Sequence, residues 1–485
     1  MRIRQFRPLL ALLALAALLT PAAGAALPRR PAPDDLATYV VLLRDQADLA
    51  PAYAIRDWGA RGRFVLDALR ATAGRTQPAV LAALHDLRLA GHVASVEPYY
   101  VVNAVVVRGD AAAAQALARR PEVAAVLPEP LVVPIAPLPA PAGSAPAAVE
   151  WNIQRIGADD VWAAYGVTGT GIVVANIDSG VEHAHPALAA RYRGNLGGGL
   201  YDHDYNWWDP TGAHPAPQPI SGPYPLSSGH GTNTMGVIVG DDGAGNQIGV
   251  APGARWIAAY GFSGIDGLLS ATEWTIAPWR VDDFDPDHPT ADPAQRPHIV
   301  SNSWGAPGAL LLFQPLLEAQ RAAGIFNAFA AGNNGENGCG TLVAPADNPA
   351  GFAVGATDQA DGAAFFSSRG PNATQPWLDT YATGPELAAP GYPIRTSAPG
   401  GGYTVSGGTS FATPHVAGTA ALLWSAEPDL IGRVTETAAI LRGTAVPKTT
   451  GQSCGGVPGA QVPNNTFGWG RLDALAAVEF AWHAG

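Results

Sequence analysis

The stretch Gly407-Gly408-Thr409-Ser410-Phe411-Ala412-Thr413-Pro414-His415-Val416-Ala417-Gly418 limits the possible folds most sharply. From Val416 to Trp424 every side chain is small or apolar, so no face of a helix here suits water, and the helix must lie inside a large core. Pro414 is expected in its first turn, where a missing N–H costs little. Ser410 then lies at a helix N-terminus, where backbone N–H groups and the positive end of the dipole favour developing negative charge. A nucleophile needs that position. Gly-Thr-Ser also serves as an ordinary helix cap, so the assignment rests on what else the chain supplies.

A buried helix requires a core to enclose it, and residues 149–485 alternate apolar strands with helices. Gly171 to Gly180 is a continuous apolar run ending in a polar turn, the pattern of a parallel strand buried on both faces. Further strands are expected at Trp256–Ala259, His298–Gly305, Gly324–Ala331 and Phe352–Ala356. The pattern is that of an α/β fold with a doubly wound, mostly parallel sheet. In such sheets ligands bind at the carboxyl ends of the strands. Asp178 and the amide of Asn333 fall there, and His230 stands in Ser228-Gly229-His230-Gly231-Thr232, ahead of an apolar segment. Singly, each has a plain reading: Asp-Ser-Gly and Asn-Asn-Gly make turns, and a histidine between glycines suits a loop.

The first part of the chain is different. Arg2, Arg4 and Arg7, an apolar run from Leu9 to Leu19 and Ala23-Gly24-Ala25 have the layout of a cleavable export signal over residues 1–26. Nothing later reaches the roughly 18 apolar residues of a membrane span. Residues 27–130 contain a small domain whose elements run strand (37–43), helix (64–89, interrupted by Gly74 and Pro78), strand (92–96), strand (100–107), helix (110–119, capped by Asp110) and strand (123–127). This β-α-β-β-α-β order is that of an α+β ferredoxin-like unit. Residues 131–148 are rich in Pro and Ala and read as an extended, accessible linker that carries a processing site. A small domain, a cleavable linker and a large domain over 149–485 suggest a pro-region.

Charge narrows the partners. Residues 1–144 carry fifteen basic and eleven acidic groups, and residues 145–485 thirteen and twenty-nine. An acidic main domain argues against nucleic acid or an anionic membrane as partner. Cys339 and Cys454 are the only cysteines, both in glycine-rich loops. Export favours a disulfide between them, two free surface thiols being the alternative.

Taken jointly, an acid, a histidine, an amide donor and a serine each stand at the boundary of a buried segment, with the acid, base and nucleophile in the order Asp…His…Ser. With Asn176-Ile177-Asp178-Ser179-Gly180, Gly229-His230-Gly231-Thr232, Asn302-Ser303-Trp304-Gly305, Ala331-Gly332-Asn333 and Gly408 to His415, residues 149–485 resemble a subtilisin-like serine peptidase (subtilase). Tyr205-Asn206-Trp207-Trp208-Asp209, Gly240-Asp241-Asp242-Gly243 and Phe366 to Pro371 place the resemblance nearer the bacillopeptidase F-like branch. Residues 36–130 resemble the family's inhibitory and chaperoning propeptide.

The resemblance implies a secreted endopeptidase made as a self-processing zymogen. It would act on protein or peptide substrates as a monomer, with its own propeptide as intramolecular inhibitor. Ser410 would be the nucleophile, His230 the base, Asp178 its orienting acid and Asn333 an oxyanion donor. Ser303, Trp304 and Gly305 would pair with the substrate backbone. Aligning Pro345 and Pro349 with the family's loop prolines puts Leu342 or Val343 near the floor of the S1 pocket. His415 is read as packing.

No cofactor is implied for catalysis, and the metal sites stay unassigned. Ala187 stands where many relatives place a calcium-binding aspartate. The acidic loop Asp282 to Asp287 is either a calcium site or a solvated face. The reading from a different class is a catalytically silent binding or inhibitory protein on the same scaffold. Such a protein is expected to have lost the nucleophile, the base or the oxyanion donor, and this chain keeps all three.

Overall fold

The computed structural model describes residues 36–140, 148–222, 228–307, 311–371 and 383–484. The stretch 1–26, expected to be an export signal, lies outside them.

Residues 37–128 build one unit. Strands β1 (Ala37–Leu43), β2 (Val93–Tyr99), β3 (Ala104–Gly109) and β4 (Val123–Pro128) form an antiparallel sheet in the order β2-β3-β1-β4, with helices α1 (Trp58–Leu89) and α2 (Ala111–Ala118). Asp110 caps α2 by accepting the Ala113 N–H at 2.9 Å. The interruption expected in α1 does not occur: the helix starts at Trp58 and runs through Pro78. The carbonyl that Pro78 leaves without its helical partner is that of Gly74, and both residues are exposed, so water serves that carbonyl.

The larger unit holds seven parallel strands: β7 (Val173–Asp178), β8 (Trp207–Trp208), β9 (Arg255–Tyr260), β10 (Ile299–Asn302), β12 (Phe326–Ala330), β13 (Phe352–Asp358) and β14 (Leu387–Tyr392). Their order across the sheet is β8-β9-β7-β10-β12-β13-β14. From β7 the chain runs first to β8 and returns through α3 (His230–Val239) to β9, and then continues through α4 (Ile265–Ile276) to β10 and α5 (Phe313–Ala322) to β12. α3 packs against the buried helix Thr409–Ala426, whereas α4 packs against α5. The sequence reading of a doubly wound parallel sheet holds. The edge strands β8 and β14, which the pattern did not reveal, complete it.

Five further short strands frame the carboxyl edge. Trp304–Gly305 (β11) follows β10, and Ile394–Ala398 (β15) and Gly402–Gly407 (β16) form a hairpin leading into α6 (Thr409–Ala426). The segment expected to be an accessible linker instead contributes β5 (Val133–Pro134), antiparallel to β11, and β6 (Leu138–Pro139), antiparallel to β16. Val132, Pro134 and Ile135 are buried there. The sequence alone hides this because the pairing partners lie more than 150 residues away.

Candidate active site

Asp178 ends β7, six residues of which five are fully buried. Its carboxylate is itself buried and accepts the Ser179 N–H at 2.6 Å. His230 is the first residue of α3. Gly231 allows the helix start to meet the strand end, because a Cβ there would lie 2.4 Å from the Gly180 carbonyl oxygen and 3.1 Å from Asp178 Cβ. Asn176 fixes the same junction by donating to the Gly231 carbonyl at 3.0 Å. His230 Nδ1 stands 2.8 and 3.0 Å from the two Asp178 oxygens. A carboxylate only accepts, so the imidazole proton sits on Nδ1 and the Nε2 lone pair stays available. Nε2 makes no protein hydrogen bond.

Ser410 is the second residue of α6. Gly408 before it has φ +151°, a conformation open to glycine, and a Cβ there would come 3.0 Å from Asn333 Nδ2. Pro414 corrects the sequence reading. It lies at the sixth position of α6 rather than in the first turn. Lacking an N–H, it leaves the Ser410 carbonyl without its helical partner, and the Ser303 hydroxyl donates to that carbonyl at 2.9 Å. The proline thereby ties the helix of Ser410 to the end of β10.

Asn333 follows β12, past Ala331 and Gly332. Its Oδ1 accepts from the Thr409 N–H at 2.9 Å and from the Thr409 hydroxyl at 3.0 Å, which turns Nδ2 outward. The Thr409 hydroxyl also accepts the Gly332 N–H at 3.2 Å. Thr409 therefore orients the amide. Sequence reasoning missed this role, although the fixed Gly-Thr-Ser string carried the signal.

Val343 stands between two glycines: a Cβ on Gly305 would meet its Cγ2 at 2.5 Å and one on Gly332 its Cγ1 at 3.0 Å. Of the two candidates for the pocket floor, Val343 is therefore the one that reaches β11. Cys339 and Cys454 form a disulfide with Cα atoms 5.4 Å apart, fastening the loop after Asn333 to the region beyond α6. His415 lies fully buried in α6. It donates from Nδ1 to the Phe411 carbonyl at 2.7 Å, and Nε2 accepts from the Asn152 amide at 2.8 Å. Burial holds its pKa down to about 4, so it stays neutral packing.

Among the described residues no group of three or more His, Cys, Asp or Glu is arranged to hold a metal. The acidic loop engages its own surroundings: Asp282 pairs with Arg280, Asp283 accepts from Thr290, and Asp285 accepts the Asp287 N–H.

The site is not open. The segment between β5 and β6 passes directly over it. The Ile135 N–H donates to the Ser303 carbonyl at 3.0 Å, and the Ser410 hydroxyl donates to the Ile135 carbonyl at 2.9 Å. Asn333 Nδ2 donates to the Ala136 carbonyl at 2.9 Å.

Residues 169–470 match the family described as the subtilase family. The chain is 37% identical over 433 residues to bacillopeptidase F of Bacillus subtilis (strain 168), an alignment covering 85% of this chain and 28% of that protein. That span exceeds residues 149–485, so the likeness reaches into the N-terminal unit. It is 31% identical over 286 residues to a subtilisin of Bacillus pumilus, covering 58% of this chain and 86% of that one. With alkaline elastase YaB of Bacillus sp. (strain YaB) it shares 30% over 285 residues, 58% of this chain and 61% of that protein. Among the described residues no helix is long and apolar enough to cross a membrane.

Proposed function

Because this chain belongs to the subtilase family, we propose that it is a serine endopeptidase, exported through residues 1–26 and made as a zymogen that processes itself. The observation that carries the reading is the fully buried Asp178–His230 pair, 2.8 Å apart, at the same sheet edge as Ser410 and the Thr409-oriented amide of Asn333.

Ser410 Oγ attacks the carbonyl carbon of the scissile bond as His230 Nε2 takes its proton. Asp178 keeps the imidazole proton on Nδ1 and stabilises the imidazolium. Negative charge developing on the substrate oxygen meets Asn333 Nδ2 and the N-terminal turn of α6, donors set in place before the reaction. His230 returns the proton to the leaving amine, and water then hydrolyses the acyl-Ser410 ester. The chemistry draws on side chains and backbone and calls for no metal or cofactor.

Substrates are proteins or peptides whose backbone pairs with Ser303, Trp304 and Gly305. Val343 narrows the space beside Gly305, which favours medium apolar P1 residues over large aromatic ones. Residues 27–130 act as inhibitor and folding aid, and the cut falls in the 131–148 segment.

Ser410→Ala is expected to reduce peptide hydrolysis by a separately matured domain at least about a thousandfold while leaving its melting temperature nearly unchanged. Labelling wild type with a serine-directed phosphonate, followed by peptide mapping, should place the adduct on Ser410. Activity of the alanine variant within tenfold of wild type would sink the proposal.

A further inference from the structure

The strap over the site is held in a definite register on both sides of the nucleophile. Upstream, Val133 pairs with Gly305 and Pro134 with Trp304, antiparallel, and the Ile135 N–H continues the ladder onto the Ser303 carbonyl. Downstream, Leu138 pairs with Gly407 and Pro139 with Ser406, and the Ser406 hydroxyl donates to the Leu138 carbonyl at 3.0 Å. Only Ile135, Ala136 and Pro137 span the gap, so one of two bonds faces Ser410: Ile135–Ala136 or Ala136–Pro137.

The two groups that would act on a scissile carbonyl are divided between adjacent carbonyls. Ser410 touches that of Ile135, and Asn333 touches that of Ala136. The arrangement is therefore a resting one. The serine proton points at the strap, and His230 Nε2 makes no protein hydrogen bond.

We propose that Ile135–Ala136 is the bond this enzyme cuts in itself, with Ile135 as the P1 residue. The inference rests on Ser410 being the nucleophile and adds which bond it meets. Three observations select this bond over its neighbour. The serine oxygen lies against the Ile135 carbonyl, and the same residue's N–H is tied to the Ser303 carbonyl beside the site. The Ile135 side chain is 8% exposed, as a residue seated in a pocket must be, whereas Ala136 is exposed. The leaving groups also differ. Both leaving nitrogens can take the proton from His230, but the Pro137 nitrogen carries a ring carbon that crowds the approach of the imidazole, whereas the Ala136 nitrogen carries only hydrogen there.

In the step itself, Ser410 Oγ bonds to the Ile135 carbonyl carbon as its proton passes to His230 Nε2. Asn333 moves from the Ala136 carbonyl to the Ile135 oxygen. The C–N bond to Ala136 then breaks as His230 returns the proton to that nitrogen, and water releases Ile135 as a carboxylate. Ile135, tied to the Ser303 carbonyl in a site whose Gly305 edge is lined by Val343, identifies the S1 class as branched aliphatic, here preceded by proline.

The test follows the full-length chain and its Ser410→Ala variant from the earliest processed species, with intact mass and N-terminal sequencing of both fragments. The expected first products end at Ile135 and begin at Ala136, and the Ser410→Ala chain stays joined across the strap. A Ser410-dependent first cut at Ala136–Pro137, or anywhere in 141–148, overturns the bond assignment and leaves the peptidase reading intact. Equal processing of the Ser410→Ala chain without added protease overturns self-cleavage itself.

A second measurement does not depend on precursor folding. The mature enzyme is given a synthetic peptide of residues 131–140 and versions with Phe, Arg or Asp at the position of Ile135. Cleavage after Ile is expected, at least tenfold faster than after any of the three. A faster peptide carrying Phe, Arg or Asp overturns the pocket class.

Discussion

Alternate residues of the four-stranded sheet face two different interiors, whereas the strands of the seven-stranded sheet are enclosed by helices of their own unit. Tyr39, Val41 and Leu43 of β1, with Val105 and Val107 of β3, cluster with Val80 and Leu84 of α1 and Ala113 and Leu117 of α2. The residues between them, Val40, Leu42, Ala104 and Val106, belong to the apolar cluster that contains Leu268 and Leu269 of α4 and Leu317 of α5. The small unit thus completes half its core with the large one. The large unit, in contrast, buries Asp178, His230, Asn302, Ser303 and Ser410 at a single sheet edge, and its apolar interior holds them there. One sheet is built for docking and the other for positioning.

Separating the units should expose that asymmetry. Burying a Val or Leu side chain contributes about 1.5–3 kcal/mol. Losing it at Val40, Leu42 and Val106 together would remove much of the roughly 5–15 kcal/mol available to a domain of this size. Residues 27–130 made alone are therefore expected to lack a cooperative melting transition by circular dichroism. Adding the Ser410→Ala large unit should restore one. A sharp transition in the isolated fragment would break the comparison.

The second effect belongs to the large unit alone. The Cys339–Cys454 bridge closes a loop across a sequence separation of 115 residues that includes Ser410. On chain-entropy grounds such a cross-link is worth about 4–5 kcal/mol. Cys339→Ser with Cys454→Ser should lower the denaturant midpoint of the mature domain accordingly. Binding of the small unit, which has no cysteine, should be unaffected. A loss below about 1 kcal/mol would show that other contacts already order that loop.

These contrasts explain what the sequence disclosed. Asp178 ends one apolar strand and Asn333 follows another, and His230 and Ser410 lie in the first turns of buried helices, so periodicity and motif pointed to the same positions. Asp110 and the strand–helix order of residues 37–128 were legible for the same local reason. Trp207–Trp208 is too short to show a period, and Leu387–Tyr392 contains Pro390 and Gly391, which disguise a strand. Pro414 looked like a helix opener because its use, freeing the Ser410 carbonyl for Ser303, depends on a partner 107 positions away. The strap could not be read because its order comes from β11 and β16 rather than from its own residues. Glu273 left a trace: it is a single acid among Leu268, Leu269, Trp274 and Ile276, the kind of buried charge that asks for a partner.

That partner is the small unit, and this leads to the gentlest expected effect. Glu273 on α4 accepts the backbone N–H groups of Tyr100 at 2.6 Å and Val101 at 2.9 Å, at the tip of the β2–β3 hairpin. Burial pushes its pKa from 4.5 to about 8, against the opposing pull of those two N–H groups and of Arg70. Once the units part, the carboxyl returns to water and to its ordinary value. The docked state therefore binds the proton more tightly. Its advantage is complete below about pH 4.5 and is lost as pH rises through 8. Glu97 on β2, also pushed up by burial and by Asp266, acts with the same sign, and the buried Tyr100 hydroxyl stays neutral throughout. Binding of the small unit to the Ser410→Ala large unit should weaken at least about tenfold between pH 5 and pH 8. Glu273→Gln keeps an oxygen acceptor for the hairpin but cannot titrate, so it should flatten most of that slope and leave only the part due to Glu97. An unchanged slope in the glutamine variant would place the pH dependence elsewhere and leave Glu273 as a hydrogen-bond acceptor only.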